Sequence, residues 1–373
     1  MRILIAPDKF KNCLSAHQAA QSISRALHHQ SFKLMPLADG GEGTARILSL
    51  ALNGQPRRML AGDPLGRSVS TAWIWFPKTR TALIELAQAS GLWRLRAKER
   101  NPLHTSTYGT GQLIRGALAL FPKEIWLALG GSATVDGGAG LLQALGARLL
   151  IKKKRVLLRP ATGADLSYLQ SLDLSLLDPR LARAKISILC DVDNPLLGSS
   201  GAARAFGPQK GASPRVVARL ERGLRNWARI LERATTRQVI RTPALGAAGG
   251  AAAGLFAALR AKVCSGAQAV MDASGFDAEL KKADLVITGE GMVDRATWKG
   301  KVVGQVAQRA ARAGIPVVIL AGRLGSGWKP PRPRGRLHFE ELARDLPPAE
   351  SMAHARTLLP EATKRAFGRL PTR

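Results

Sequence analysis

Asp284-Leu285-Val286-Ile287-Thr288, then Gly300–Ala313, then Pro316-Val317-Val318-Ile319-Leu320 is the stretch that decides the fold class. Its ends read as two short apolar strands and its middle carries helical spacing, so the segment predicts one βαβ unit. The alternation recurs along the chain. Arg2–Ala6 is a short apolar run stopped by Pro7-Asp8, which predicts a buried first strand. Ser15 reads as a helix N-cap before Ala16–Leu27, and Thr44–Leu52 as another helix. Thr81–Leu86 and Glu124–Leu129 read as strands with a helix at Gln112–Leu120 between them. Ala184–Leu189 is a strand ending at Asp191, while Pro214–Glu232 and Ala247–Leu259 are helices. This pattern predicts an α/β protein with mainly parallel sheets, whose ligands bind beyond the carboxyl ends of strands. Both chain ends carry the strand–loop–helix rhythm, whereas the middle has hairpin-like and longer helical pieces. A discontinuous first domain with a second α/β domain inserted into it fits that change.

Composition narrows the class. At 373 residues the chain is long for one core, and two domains are expected. Hydrophobic content of 46% with 22% charged residues describes a soluble globular protein. Pro7, Asp8 and Lys9 interrupt the opening apolar run too soon for a signal peptide. The longest uncharged run, Thr242–Leu259, is rich in Gly and Ala and too weakly apolar to span a bilayer. Cys13, Cys190 and Cys264 are scattered, forming neither a disulfide framework nor a zinc pattern, so a cytoplasmic location is expected. Arg323–Leu337, rich in Pro, Gly and basic residues, reads as an irregular loop.

A formal charge of +30 raises nucleic acid as a partner. The basic residues are spread along the whole chain, however. Their densest cluster, Lys152-Lys153-Lys154-Arg155, sits between two strand-like runs and reads as a solvated hairpin turn. No RNP, KH or zinc-finger signature accompanies it. Nucleic acid is therefore not expected as the main partner, and the excess charge is expected to attract anionic small molecules.

The chemistry is concentrated in six Gly-rich loops. They are Ala38-Asp39-Gly40-Gly41-Glu42-Gly43-Thr44, Thr107-Tyr108-Gly109-Thr110-Gly111, Gly130-Gly131-Ser132-Ala133-Thr134-Val135-Asp136-Gly137-Gly138, Cys190-Asp191-Val192-Asp193-Asn194-Pro195, Phe206-Gly207-Pro208-Gln209-Lys210-Gly211 and Thr288-Gly289-Glu290-Gly291. Glycine turns bring bare N–H groups to phosphate, and neighbouring carboxylates hold a metal or take a proton. Turn formation alone accounts for any one of these loops as well as ligand contact does; six in one chain point to phosphoryl chemistry. Of only 26 acids, eight (Asp8, Asp39, Glu42, Asp136, Asp191, Asp193, Glu290, Asp294) lie in or beside such loops, which predicts convergence on a cation. Neither GxxxxGK[ST] nor a GxGxxG after the first strand occurs, which disfavours P-loop NTPases and dinucleotide dehydrogenases. Asp8 is placed to accept a hydroxyl proton or bind metal, with Lys9 or Lys11 to neutralise a phosphate. Asp191-Val192-Asp193-Asn194 has the oxygen density suited to Mg²⁺, with an Asx turn before Pro195 as the lesser alternative. Asp294, Thr297 and Lys301 open a helix whose N–H groups would face an anion. The six histidines form no metal or triad spacing.

The opening Ile5-Ala6-Pro7-Asp8-Lys9-Phe10-Lys11, then Pro36–Thr44, Gly130–Thr134, Cys190–Pro195, Phe206–Gly211 and Ile287–Gly291 run in the order seen in the glycerate kinase type 1 family, which the chain resembles from Arg2 to about Gly322. Asp8, Lys11, Asp39, Glu42, Asp191, Asp193, Asn194, Gln209, Lys210, Glu290, Asp294 and Lys301 match motif positions. The resemblance implies ATP- and Mg²⁺-dependent phosphorylation of D-glycerate, commonly at the 2-hydroxyl. It also implies a Rossmann-like parallel-sheet domain built from both chain ends (1–70 and 282–373), an inserted domain (71–281), and an active site in the cleft between them. Under it, Asp8 or Asp39 orients or deprotonates the hydroxyl, Lys11 or Lys210 offsets developing charge, and Asp193 joins them as catalytic. Gly130, Gly131, Ser132, Gly289, Glu290, Gly291 and Lys301 hold ATP, and carboxylates from Asp191, Asp193, Glu290 and Asp294 hold Mg²⁺. The chain departs from the family pattern at Asn12-Cys13, usually Gly then Ser or Thr, at Val135, usually Asn, and at Trp298, usually smaller. The segment after Gly322 also lacks a strand-like stretch. A nucleic-acid-binding protein, or a kinase homologue that binds without catalysing, are the alternatives.

Overall fold

A computed structural model describes residues 1–11, 13–327, 337–343 and 345–370. Their strands, numbered β1–β14 in chain order, fall into three sheets divided between two compact units. One unit comprises Met1–Asp39, Arg46–Ala51 and Ser265–Arg373; the other comprises Gly40–Ala45 and Leu52–Cys264.

The first unit holds β1 (Arg2–Ile5), β2 (Ser31–Leu34), β12 (Leu285–Val293), β13 (Val317–Leu324) and β14 (Leu337–Glu341). They form a wholly parallel sheet in the order β14-β13-β12-β1-β2. Its central strands are built from β-branched and Leu residues buried on both faces, as parallel sheets demand. Ile3, Ile5, Ile287, Val318 and Leu320 join Ile23 and Leu359 from flanking helices in one core. The helix after β1 runs Ala16–Ser24; the Ser15 hydroxyl accepts from Gln18 N, and Gln18 Oε1 accepts from Ser15 N, a complete capping box.

The second unit has a six-stranded sheet ordered β11-β10-β6-β5-β4-β3. Its members are β3 (Gln55–Gly62), β4 (Ser68–Phe76), β5 (Thr81–Glu85), β6 (Glu124–Ala128), β10 (Lys185–Leu189) and β11 (Lys262–Cys264). The β3–β4–β5 edge is antiparallel and the remainder parallel. A small antiparallel sheet joins β7 (Arg148–Ile151), β8 (Arg155–Val156) and β9 (Ser171–Asp173), with Lys152–Lys154 turning between β7 and β8 as the hairpin reading expected.

The α/β class with parallel sheets holds, and three local expectations change. Gly289-Glu290-Gly291 is not a turn: it lies within β12, paired so that Gly289 faces Leu320 and Glu290 faces Ala321. A Cβ on Gly289 would sit 2.3 Å from Leu320 O, so glycine is there for strand contact. Thr107-Tyr108-Gly109-Thr110-Gly111 is mostly the first turn of a helix running Tyr108–Leu118, four residues ahead of the expected start. Cβ atoms on Gly109 and Gly111 would meet Gly62 O at 1.8 Å and Leu141 O at 2.4 Å, so close packing selects both glycines. Finally, the units divide elsewhere than at 70 and 282. The β3–β4 hairpin is bonded to β5, and Ser265–Lys281 belongs with the first unit, where Arg309 pairs with Asp272 (2.7 Å) and Asp277 (3.0 Å). Part of the expected Arg323–Leu337 loop, residues 328–336, lies outside the described residues, as does Asn12; the strand β14 follows it. No described helix is long and apolar enough to cross a membrane.

Candidate active site

In the first unit, the turn after β1 and the middle of β12 bring Asp8 and Glu290 into one electrostatic neighbourhood with Asp39. Asp8 N donates to Gly289 O (2.9 Å), fixing the turn after β1 on β12. Its own Oδ1 accepts from Lys9 N at 2.7 Å, and Lys9 Nζ reaches Asp39 Oδ1 at 2.8 Å. Burial, then the Asp39 charge, pushes the Asp8 carboxyl up to about 8, against the opposing pull of Lys9. Glu290 is also raised, chiefly by burial, with Asp294 and Asp39 adding to it. Thr297 Oγ1 donates to Glu290 Oε1 at 2.7 Å, and Lys301 Nζ stands 4.0 Å from its other oxygen. Two buried acids, Asp8 and Glu290, and the half-buried Asp39 thus share few cations, an arrangement that a hard divalent ion would relieve.

Not every predicted acid serves that purpose. Asp294 Oδ1 caps the Arg295–Trp298 turn, accepting from Ala296 N (2.7 Å) and Thr297 N (3.3 Å). Lys11 is exposed, and it is Lys9, not Lys11, that pairs with an acid of the cluster. Among the described residues no three His, Cys, Asp or Glu side chains already converge as a metal cage.

The second unit gathers the remaining motifs. The Gly40–Thr44 segment lies against the Gly130-Gly131 turn: a Cβ on Gly130 would come within 2.6 Å of Gly41 Cα and 2.9 Å of Glu42 N. Glycine at 130 is therefore a requirement of close approach. Glu85, at the end of β5, has one oxygen accepting from both Gly43 N and Ala45 N at 2.9 Å. It holds the acidic loop from beneath, and burial raises its pKa. Sequence reading missed Glu85; a lone acid closing an otherwise apolar strand was the available signal.

Lys210 is 3% exposed, and its Nζ donates to Thr134 O (2.7 Å) and Ser132 Oγ (3.3 Å). It joins the Gly207–Gly211 turn to the Gly130–Thr134 turn. Burial lowers its pKa to about 7, partly offset by the Asp136 charge. Asp136 itself is fully buried and spent on structure, accepting from Thr107 N and Oγ1 and from Gly138 and Gly140 N. The expectation that all eight loop acids converge on a cation fails here, because this carboxylate is saturated by local donors. Val135 lies in the core beside it.

Asp191 is half-buried and Asp193 exposed on the Cys190–Pro195 loop after β10. That loop is pinned by its backbone: Asp193 O accepts from Ala244 N (3.2 Å), Asn194 O from Gly246 N (2.9 Å), and Asn194 Nδ2 donates to Ser200 O (2.7 Å). Gln209 is exposed beside Lys210, and Glu42 is exposed beside Gly131. Asp8, Asp39, Glu290, Asp294 and Lys301 thus belong to the first unit, and Glu42, Glu85, Ser132, Asp191, Asp193 and Lys210 to the second.

Clustered acids at strand ends, glycine turns and a buried lysine form the equipment of a phosphotransferase. A model of the glycerate kinase family matches residues 3–370. A glycerate kinase of Halalkalibacterium halodurans is 41% identical over 367 residues, covering 97% of this chain and 96% of its own. A glycerate 2-kinase of Escherichia coli is 41% identical over 328 residues, covering 87% and 86%. A crystal structure assigned as glycerate kinase 2 of Salmonella typhimurium superposes with a TM-score of 0.81 at 37% identity, covering 99% and 98%. The chain is a kinase and belongs to the glycerate kinase family.

Proposed function

We propose that this enzyme, of the type 1 branch, transfers the γ-phosphoryl group of ATP to the 2-hydroxyl of D-glycerate, giving 2-phosphoglycerate in the cytoplasm. The observation that carries this reading is the Asp8–Asp39–Glu290 cluster of the first unit, with Lys9 on Asp39 and Lys301 beside Glu290. Phosphoryl transfer needs positioning and charge compensation, with no covalent nucleophile.

Asp8 Oδ1 is held by Lys9 N, so Oδ2 takes the substrate hydroxyl proton. A carboxyl raised to about 8 keeps its own proton at neutral pH in the empty site. Asp8 releases that proton and acts as a base once a divalent cation bound nearby lowers its pKa. Asp39, oriented by Lys9, aligns the hydroxyl. Mg²⁺, when bound, neutralises phosphate charge; Glu290, Asp191 and Asp193 are the residues to hold it, with Asp294 the weaker donor because one oxygen caps a turn. Gly130, Gly131 and Ser132, with Gly289, Gly291 and Lys301, line the phosphate path. Lys210, poised near neutrality, and the exposed Lys11 compensate charge on the transferred group. The Escherichia coli relative bears the name glycerate 2-kinase, which supports the 2-position. Incubation with Mg·ATP and D-glycerate should release ADP in proportion to phosphoglycerate; no turnover across metals and salt would refute the assignment.

A further inference from the structure

The helix Pro214–Thr235 carries Arg215, Arg219, Arg222, Arg225, Arg229 and Arg233. Steps of three and four residues place all six on one face, a stripe about 120° wide and about 27 Å long. Five of them are exposed and Arg219 is half-buried. Basic residues that looked scattered in sequence are here gathered by a single helix.

The stripe is not neutralised by its surroundings. Among the described residues, only Arg225 has a carboxylate within ion-pair distance, Glu221 at 3.9 Å, and that acid already accepts from Gly198 N. Glu232 is spent on Val239 N and Ile240 N. Acids on the elements packed against the helix are taken as well: Asp165 pairs with Arg159, and Asp173 with Arg148. These acids are therefore not available to compensate the stripe.

We propose that this arginine face binds the phosphate backbone of duplex DNA without sequence preference. Guanidinium groups grip phosphates bidentately, and a regular array of them over this length matches a regular array of phosphates. A membrane surface fits poorly, since Val217, Leu220, Leu224 and Leu231 on the opposite face are buried in the core and none remains to enter lipid. A single strand fits less well than a duplex, because the helix's one aromatic, Trp227, is buried with Nε1 on Gly137 O and offers no stacking platform. The surface is independent of the kinase reading, as none of the six arginines belongs to the catalytic machinery.

The test is fluorescence anisotropy of the full chain with a labelled mixed-sequence DNA duplex, over about 50 to 200 mM KCl. The expected slope of log K against log salt is about −5, from six contacts. Replacing Arg219, Arg222, Arg229 and Arg233 by Gln should flatten it by about 3 to 4, and Arg229→Gln alone by about 0.9. Both variants should keep glycerate turnover and an unchanged circular dichroism melt. A charge-matched control, with Gln at 152 to 155, should leave the slope nearly intact. Absence of DNA binding, equal flattening by the control, or preference for phosphatidylserine vesicles or single strands would each overturn the proposal.

Discussion

Asp8 and Lys210 are displaced from ordinary acidity in opposite senses. The Asp8 pKa in the fold, about 8, lies above the usual 3.8, so the folded state holds a proton that the unfolded chain has lost. Stability from this group is complete at low pH and is lost as pH rises from about 4 through 8. Asp8→Asn should therefore melt a few degrees above the wild type at about pH 8.5, with the gap closing toward pH 5. The same variant should lose at least about a hundredfold in kcat, the scale of a removed general base. A variant less stable at high pH, or one with near-normal turnover, would contradict the role. Lys210→Met removes a cation held by Thr134 O and Ser132 Oγ. Its kcat should fall by about two orders of magnitude, and the fold should persist because a buried ammonium is itself costly. An activity loss explained by unfolding would remove Lys210 from the reaction.

At the scale of elements, two glycines that look alike in sequence differ physically. Gly130→Ala would drive a methyl group into the Gly41–Glu42 backbone, whereas a Cβ on Gly291 meets Lys11 N only at 3.4 Å. Gly130→Ala should lower Tm by several degrees and raise KM, while Gly291→Ala should change Tm by no more than about a degree or two. Glu85→Gln keeps the shape but weakens the carboxylate's hold on Gly43 N and Ala45 N. It should raise the KM for glycerate about tenfold with a smaller change in kcat, since it acts by positioning the loop. The apolar strands β1, β5, β6 and β10, and the helix Thr44–Leu52, were legible because their periodicity and flanking turns agree with their burial. The antiparallel β3–β4 edge was not, since exposed Arg57, Arg58 and Leu60 break the alternation on which a strand reading rests. Glycine was the misleading signal. At Gly109, Gly111 and Gly289 it marks backbones in contact, which sequence cannot distinguish from a ligand loop.

For the whole molecule, residue identity announced an acid- and glycine-rich site, but which acids titrate together depended on the fold. Asp136 looked like a ligand and is saturated by local donors, Asp294 has one oxygen engaged in capping a turn, and Glu85 was invisible. Asp8, raised to about 8, keeps its proton at neutral pH and must shed it when a divalent cation arrives with the nucleotide. Calorimetry at about pH 7.5 in buffers of different ionisation enthalpy should therefore show proton release when Mg·ATP binds, diminished in Asp8→Asn. Equal heats across buffers would place the nucleotide away from Asp8. The central claim, phosphoryl transfer to the 2-hydroxyl of glycerate, is tested most directly by proton-coupled phosphorus NMR of the product. A phosphorus attached through O2 couples to one carbon-bound proton and appears as a doublet, accompanied by ADP. A triplet would place the phosphoryl group on O3, and an unchanged ATP spectrum would contradict the activity itself.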